Sequence, residues 1–139
     1  MPPPPDAETY PLPALVYKIL PAPAPEPLPA ALPLSALDAQ DGFIHLSTAA
    51  QVPTTASLFF AECAALWVLQ VDTARTRAAG GVYAWAAGMP GCPHLYAAED
   101  GRWVDLGSAT VRGQREVRRA EGQGWEDAFR QLEGWMVDG

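Results

Sequence analysis

The sequence predicts a single α+β domain, and three observations support this fold class. The chain has 139 residues, which is enough for one hydrophobic core. Apolar residues make up 49% of it, a share that is typical of globular proteins. Strand-like apolar runs and helix-like periodicity do not alternate strictly along the chain, and this favours an α+β arrangement over a doubly wound sheet.

The first part of the chain contains two proline-rich stretches with one strand between them. Residues 1–13 are rich in proline and polar side chains, so we expect a disordered tail before a single domain over residues 14–139. Residues 14–20 form an apolar run of strand length. Residues 21–33 alternate proline with alanine, which excludes a regular helix or a central strand and predicts an extended loop over the core.

The middle of the chain predicts a turn, a short strand and a helix in succession. One helical turn over residues 34–38 leads into a turn at residues 41–42, because Asp-Gly is typical turn chemistry. Residues 43–46 are aromatic and apolar enough for a buried strand. Thr48 and Gln51 have the spacing of a capping box, which predicts that a helix with one apolar face begins here.

Further strands and a last helix are predicted in the second half. Residues 66–72 form a nearly continuous apolar run that is typical of a central strand. Shorter strands are expected at residues 82–85 and 94–96, and a last strand at residues 110–117. Aromatic and aliphatic residues at helical spacing predict an amphipathic C-terminal helix over about residues 124–137.

Charge and hydropathy restrict the partners. The formal net charge is −7, and Lys18 is the only basic residue before Arg75, so we expect no nucleic-acid partner. The chain contains no apolar run of about 18 residues, which predicts no membrane partner. Because the N-terminus lacks the layout of a signal peptide, we expect a cytoplasmic protein. We also expect a monomer or homodimer that binds a small molecule.

The two histidines are the strongest candidates for chemistry. His45 and His94 each lie in a short extended segment, and His45 is followed closely by Ser47 and Thr48. Two imidazoles across one cleft would form a general acid/base pair. The alternative is that each imidazole only forms a hydrogen bond with a backbone carbonyl and stabilises its own loop. His45, His94 and either Asp38 or Asp41 could supply two imidazoles and a carboxylate, but we predict no metal site, because their spacing is not diagnostic of one. The sequence also lacks GxSxG and GxGxxG motifs.

Several segments resemble the family catalogued as domain of unknown function 952. They are residues 17–19, 35–48 with the DGFIHLST block, 51–60, and 93–96 with the PHLY block. The resemblance covers roughly residues 16–118 and leaves out the proline-rich tail and the C-terminal helix. The family in turn resembles the ADP-ribosyltransferase superfamily in fold.

This resemblance implies a compact ADP-ribosyltransferase-like domain with a split, bent, mixed or antiparallel sheet, flanking helices and a cleft for NAD. NAD or a related nucleotide would then be the ligand. The catalytic residues that we expect in the cleft are His45, His94 and Ser47. The ligand-binding residues that we expect are Thr48, Tyr17, Lys18, Asp41, Trp85 and Tyr96.

One departure leaves three functions open. Transferases of that superfamily use a late-strand glutamate to stabilise the cationic sugar, and we would expect an acid just after Trp85, where this chain has Ala86 and Ala87. The first function is an NAD-binding enzyme. The second is a small-molecule enzyme in which His45 and His94 are general acid and base for an isomerisation, hydration or elimination. The third is a non-catalytic ligand-binding module.

Overall fold

A computed structural model describes residues 2–139, and it consists of two three-stranded antiparallel sheets. The first sheet has the order β1-β3-β6 and the second the order β2-β5-β4. The strands are β1 Leu15–Leu20, β2 Phe43–His45, β3 Ala65–Asp72, β4 Val82–Ala84, β5 His94–Tyr96 and β6 Val111–Arg118.

The helices are few and short. They are α1 Ala36–Asp41, α2 Val52–Phe59, α3 Thr73–Ala78 and α4 Trp125–Ala128, which continues as a 3-10 helix over Phe129–Leu132. None of the helices in residues 2–139 has the length and apolar character needed to cross a membrane. Mixed helices and antiparallel sheets confirm the α+β class.

The first sheet lies between two apolar layers. Along β1, Leu15, Tyr17 and Ile19 pack with α2, α4 and the 3-10 helix, whereas Val16 packs on the opposite side against the second sheet. This alternation follows from the two-residue period of a strand. Strand β3 is central and almost entirely buried, as its continuous apolar run predicts.

The predicted capping box before α2 is wrong. Helix α2 begins at Val52, after Gln51 as N-cap, and no side chain caps it. Thr48 contributes its backbone carbonyl instead, which accepts hydrogen bonds from the N–H groups of Gln51 and Val52 at 3.0 and 3.1 Å. The chain therefore enters α2 through a backbone turn, and a side-chain cap is not needed there.

The predicted C-terminal helix over residues 124–137 is much shorter in the structure. Regular helix ends at Ala128 and the 3-10 segment ends at Leu132. Beyond it, the carbonyl of Trp135 accepts a hydrogen bond from the Gln70 side chain at 2.9 Å, and that of Val137 accepts one from the Tyr17 hydroxyl at 2.6 Å. The last residues thus bond to the first sheet, and Trp135 and Met136 pack partly buried against the core without a continuous helix.

Both proline-rich stretches lie against the domain. In the N-terminal stretch, predicted to be disordered, the backbone of Glu8 pairs with Trp85 through bonds of 2.8 and 2.9 Å; Met1 lies outside the described residues. The second stretch, residues 21–33, is called the strap here. Its Leu32 N–H donates to the Leu106 carbonyl at 2.8 Å, and its Pro29 carbonyl accepts from Ser108 at 2.9 Å. The strap covers the core, as its sequence predicts.

Candidate functional site

The second sheet brings the two histidines side by side. His45 on β2 is the register partner of His94 on β5, and their ring centroids are 5.6 Å apart. Ile44 and Leu95 form the neighbouring pair on the same two strands, and their side chains are buried in the core. Because side chains alternate along a strand, both imidazoles lie on the face opposite these two core residues.

One carboxylate organises the surroundings of His45. The Asp38 Oδ1 atom lies 2.7 Å from His45 Nδ1 and also accepts the His45 backbone N–H at 3.1 Å. Its Oδ2 atom accepts from the Lys18 ammonium at 2.7 Å, and Lys18 also donates to the His45 carbonyl at 3.1 Å. Together with Asp41, these residues are called the Asp38 cluster: Lys18, Asp38, Asp41 and His45.

Local structure explains why Asp38 reaches this position. Ser35 is the N-cap of α1, and its hydroxyl accepts the Asp38 backbone N–H at 3.1 Å. Asp38 therefore lies in the first turn of the helix, where a carboxylate is favourable. Gly42 ends α1 with a φ of 82°, a left-handed conformation that suits glycine and turns the chain directly into β2. A six-residue helix thus holds the carboxylate beside His45.

Asp38 is ionised at neutral pH despite its burial. Burial raises the pKa of its carboxyl, but the hydrogen bond from His45 and the positive charge of Lys18 outweigh this effect and hold the pKa below its usual value. The carboxylate is therefore available as a fixed acceptor for the imidazole.

The second nitrogen of His45 meets another carboxylate. His45 Nε2 lies 3.0 Å from Asp41 Oδ2, and the side chains of His45 and Asp41 are 32% and 35% exposed. The contact with Asp38 favours a proton on Nδ1, which leaves Nε2 as the atom that gains or loses a proton. In the protonated ring, Nε2 donates to Asp41. Because Asp41 is partly exposed, a ligand can replace it at Nε2.

His94 has a different electrostatic environment. Its ring stacks on Phe43 with a centroid distance of 4.0 Å and an interplanar angle of 16°. Burial, followed by the nearby His45, lowers the pKa of His94 to about 4, although Asp41 opposes this shift. His94 is therefore neutral at pH 7, with one nitrogen that donates and one that accepts a hydrogen bond.

We expect the NMR titration of His94 to be simple to assign, because the chain contains only one other histidine. Because folding lowers the pKa of His94 from 6.5 to about 4, His94 takes up a proton at a higher pH in the unfolded chain than in the folded chain. The stability that neutral His94 provides is therefore present above about pH 6.5 and is lost as the pH falls toward 4. The measurement is a proton–nitrogen correlation of the imidazole rings between pH 3.5 and 8.

Substituting Phe43 by leucine should move the His94 pKa upward, because the stacked ring keeps water from the imidazole. The matched control is Phe59→Leu on α2, where the phenylalanine is 75% exposed and outside the site. The buried, neutral imidazole would be contradicted if His94 has its usual pKa in the native chain. It would also be contradicted if both substitutions shift the His94 pKa equally.

The other predicted catalytic residue, Ser47, makes no hydrogen bond to either histidine ring among residues 2–139. It is buried, its backbone pairs with that of Tyr17, and its hydroxyl is 3.2 Å from Thr55 Oγ1 rather than at an imidazole nitrogen. The backbone N–H of Thr48 donates to the Gly91 carbonyl at 2.9 Å. Both residues thus connect β2 to its neighbours in this structure.

The predicted ligand-binding aromatic residues occupy three different places. Tyr96 shares the face of His94, with ring centroids 6.5 Å apart, and burial raises the pKa of its hydroxyl. Tyr17 is fully buried, and its hydroxyl points to the C-terminal residues instead. Trp85 is buried against Tyr10, and its indole nitrogen has no hydrogen-bond partner among residues 2–139. The structure therefore brings only Tyr96 to the histidines.

Sequence reasoning gave Asp38 too small a role, since it appeared only as an alternative metal ligand. The available signal was the spacing Ser35-x-x-Asp38 in front of His45, which places a carboxylate in the first turn of a helix. Within residues 2–139, no group of three or more His, Cys, Asp or Glu side chains is arranged to hold a metal ion. The contacts among Lys18, Asp38, Asp41 and His45 make the cluster a hydrogen-bonded charge network.

Two solved structures that are similar to this chain are of one protein. One is the crystal structure of protein CC0527 from Caulobacter crescentus, which shares 27% sequence identity with this chain and matches it with a TM-score of 0.58. The match covers 79% of this chain and 92% of the CC0527 chain. A double mutant of CC0527 gives the same values. Both are structural genomics targets, and neither is an ADP-ribosyltransferase by name, so the resemblance to that superfamily gains no support from them. A search of curated proteins finds no match.

The family comparison agrees with the DGFIHLST block at the centre of the site. Residues 26–107 match the family described as protein of unknown function DUF952, which is more than half of the chain. The matched range includes Asp38, Asp41, His45 and His94 and ends at the loop that contacts the strap. This chain belongs to the DUF952 family.

Proposed function

We propose that the protein is an enzyme that transfers a proton on a small molecule, with His45 as its general acid and base. The observation that carries the proposal is an imidazole fixed by Asp38 at Nδ1, with a neutral second imidazole, His94, whose ring centroid is 5.6 Å away. Paired titratable groups with different environments are typical of acid/base sites.

His45 has the features of a general base with a positioning residue. Asp38 fixes the ring and its tautomer, and it stabilises the imidazolium that forms when Nε2 takes a proton. When the ring is protonated, Nε2 donates to Asp41; Nε2 acts as a base only after that proton has left, and a substrate then takes the place of Asp41. Lys18 neutralises the charge of Asp38 and supports its orientation.

His94 supplies the complementary group. A neutral imidazole can donate a hydrogen bond to a carbonyl oxygen and stabilise the charge that develops there when the adjacent carbon loses its proton. Nε2 of His45 would take that proton. The same proton then returns to a neighbouring carbon in an isomerisation, or to the leaving group in an elimination. We therefore favour proton abstraction next to a carbonyl group.

Proton exchange in heavy water tests this reaction class. Dihydroxyacetone and pyruvate are the probes, and proton NMR follows the loss of signal from the carbons next to their carbonyl groups. We expect exchange faster than in buffer, slower exchange with Asp38→Asn, and the buffer rate with His45→Gln. The control is Asp100→Asn, because Asp100 is an exposed carboxylate outside the site. Exchange that persists in His45→Gln would exclude His45 as the base.

NAD binding, which the resemblance implies, has less support. The cavity next to Asp38 is not lined by His45 or His94, so it offers no dinucleotide cleft at the histidine pair. The residues after Trp85 are alanines, so the acid expected for sugar stabilisation is missing there. The missing acid therefore favours proton transfer over a transferase reaction.

A further inference from the structure

A cavity on the other side of the Lys18–Asp38 ion pair has no part in the acid/base proposal. It has a volume of about 200 Å³ and lies between the strap, β1, α1 and the segment over residues 103–106. Lys18 and Asp38 line it, but His45 and His94 do not. Leu34, at the junction of the strap and α1, also lines the cavity and is 37% exposed, so the cavity opens to solvent there.

The polar end of the cavity has hydrogen-bonding capacity that the fold leaves unused. An ammonium group carries three N–H donors, and in residues 2–139 that of Lys18 has two partners, Asp38 and the His45 carbonyl. The Lys18 side chain is only 11% exposed, which keeps the third donor near the cavity and away from bulk water. Ser35 also lines the cavity; its hydroxyl accepts from the Asp38 backbone N–H, and among residues 2–139 its own proton has no acceptor.

The size and charge of the cavity restrict what it can hold. An engineered apolar cavity of about 150 Å³ binds benzene, so the present volume fits one ring with a small substituent. Most of the wall is apolar and includes Leu32 and Trp103. The charged lining groups are one ammonium, Lys18, and two carboxylates, Asp38 and Asp105, so an anion would meet net negative charge.

We propose that this cavity is a binding site for a neutral molecule of about one ring with a carbonyl or hydroxyl oxygen. The ring lies between Leu32 and Trp103, and the oxygen accepts hydrogen bonds from Lys18 and Ser35. This site goes beyond the proposed proton transfer, because the two histidines do not line it. The two sites share Asp38, which contacts Lys18 through one oxygen and His45 through the other.

Benzamide, benzoate and toluene test the proposal on the full chain, since they share one ring and differ in the polar group. Proton–nitrogen NMR follows the indole signal of Trp103, which a Trp103→Phe variant assigns. We expect saturable benzamide binding that moves this signal, and at least tenfold weaker binding of benzoate and of toluene. Equal binding of the three probes, or no saturable shift at Trp103, would overturn the proposal.

A pair of matched substitutions locates the binding. Leu32→Phe fills the cavity and should weaken benzamide binding at least tenfold, whereas Leu12→Phe should leave it within twofold. Both leucines are partly buried against the same core, but only Leu32 lines the cavity. If Leu32→Phe fails to fold by circular dichroism, the probe series on the native chain still decides. Benzamide binding unchanged in His94→Gln would show that the cavity acts independently of the histidine pair, and its loss there would overturn the separate site.

Discussion

Replacing Asp38 by alanine is expected to lower the free energy of unfolding by about 3–5 kcal/mol, the range for breaking a buried ion pair. The substitution leaves the Lys18 ammonium without a counter-charge in a position where its side chain is 11% exposed. It also removes the acceptor for the backbone N–H and the ring of His45. Urea denaturation followed by circular dichroism measures the loss.

The matched control is Asp41→Ala, because Asp41 lies on the same helix and also contacts His45. Its side chain is 35% exposed, and exposed ion pairs contribute about 0–1 kcal/mol, so we expect little change. Equal losses from the two substitutions would contradict the central position of Asp38 in the cluster.

The effect of Asp38→Ala should depend on pH in a defined direction. The pKa of Asp38 is below its usual value in the folded chain, so its contribution is present above the unfolded pKa of 3.8 and is lost as the pH falls through the folded pKa. The difference between the native chain and Asp38→Ala should therefore shrink as the pH falls below 3.8. A difference that grows below pH 3.8 would contradict an ionised, stabilised carboxylate.

The strands were predictable because their signal is local. Runs of β-branched and aromatic residues gave β1, β3 and β5 almost to the residue, since a buried strand needs only a short apolar segment. The same signal placed His45 and His94 in strands. It contained no information on register, so the sequence left open whether the two rings meet.

The Asp38 cluster was less predictable because it depends on tertiary contacts. Lys18 lies 20 residues before Asp38, across the strap, and no local pattern indicates that a β1 lysine meets an α1 carboxylate. The C-terminal helix was overestimated for a related reason. Apolar spacing over residues 124–137 reports burial, and here hydrogen bonds to Tyr17 and Gln70 position the last residues without helix.

Replacing Gly107 by alanine is expected to destabilise the chain by about 1–3 kcal/mol, the usual cost of overpacking. A Cβ atom at this position would lie 2.2 Å from the Ala30 carbonyl oxygen and 2.5 Å from the Pro29 carbonyl oxygen. Both contacts are backbone atoms of the strap, so no side-chain rotation relieves them. The strap must move, and the neighbouring bond between Leu32 and Leu106 must weaken.

Gly113→Ala is the control, since the nearest atom to a Cβ there is a Trp135 ring carbon at 4.0 Å. That change adds only ordinary van der Waals contact, and a surface-type substitution of this kind is expected to stay within about 0.5 kcal/mol. Because the strap forms one wall of the cavity, Gly107→Ala should also weaken benzamide binding, whereas Gly113→Ala should not. If both alanine variants unfold at the same urea concentration, the strap does not depend on the close approach at Gly107. A stability loss in Gly107→Ala with unchanged benzamide binding would instead separate the packing of the strap from the shape of the cavity.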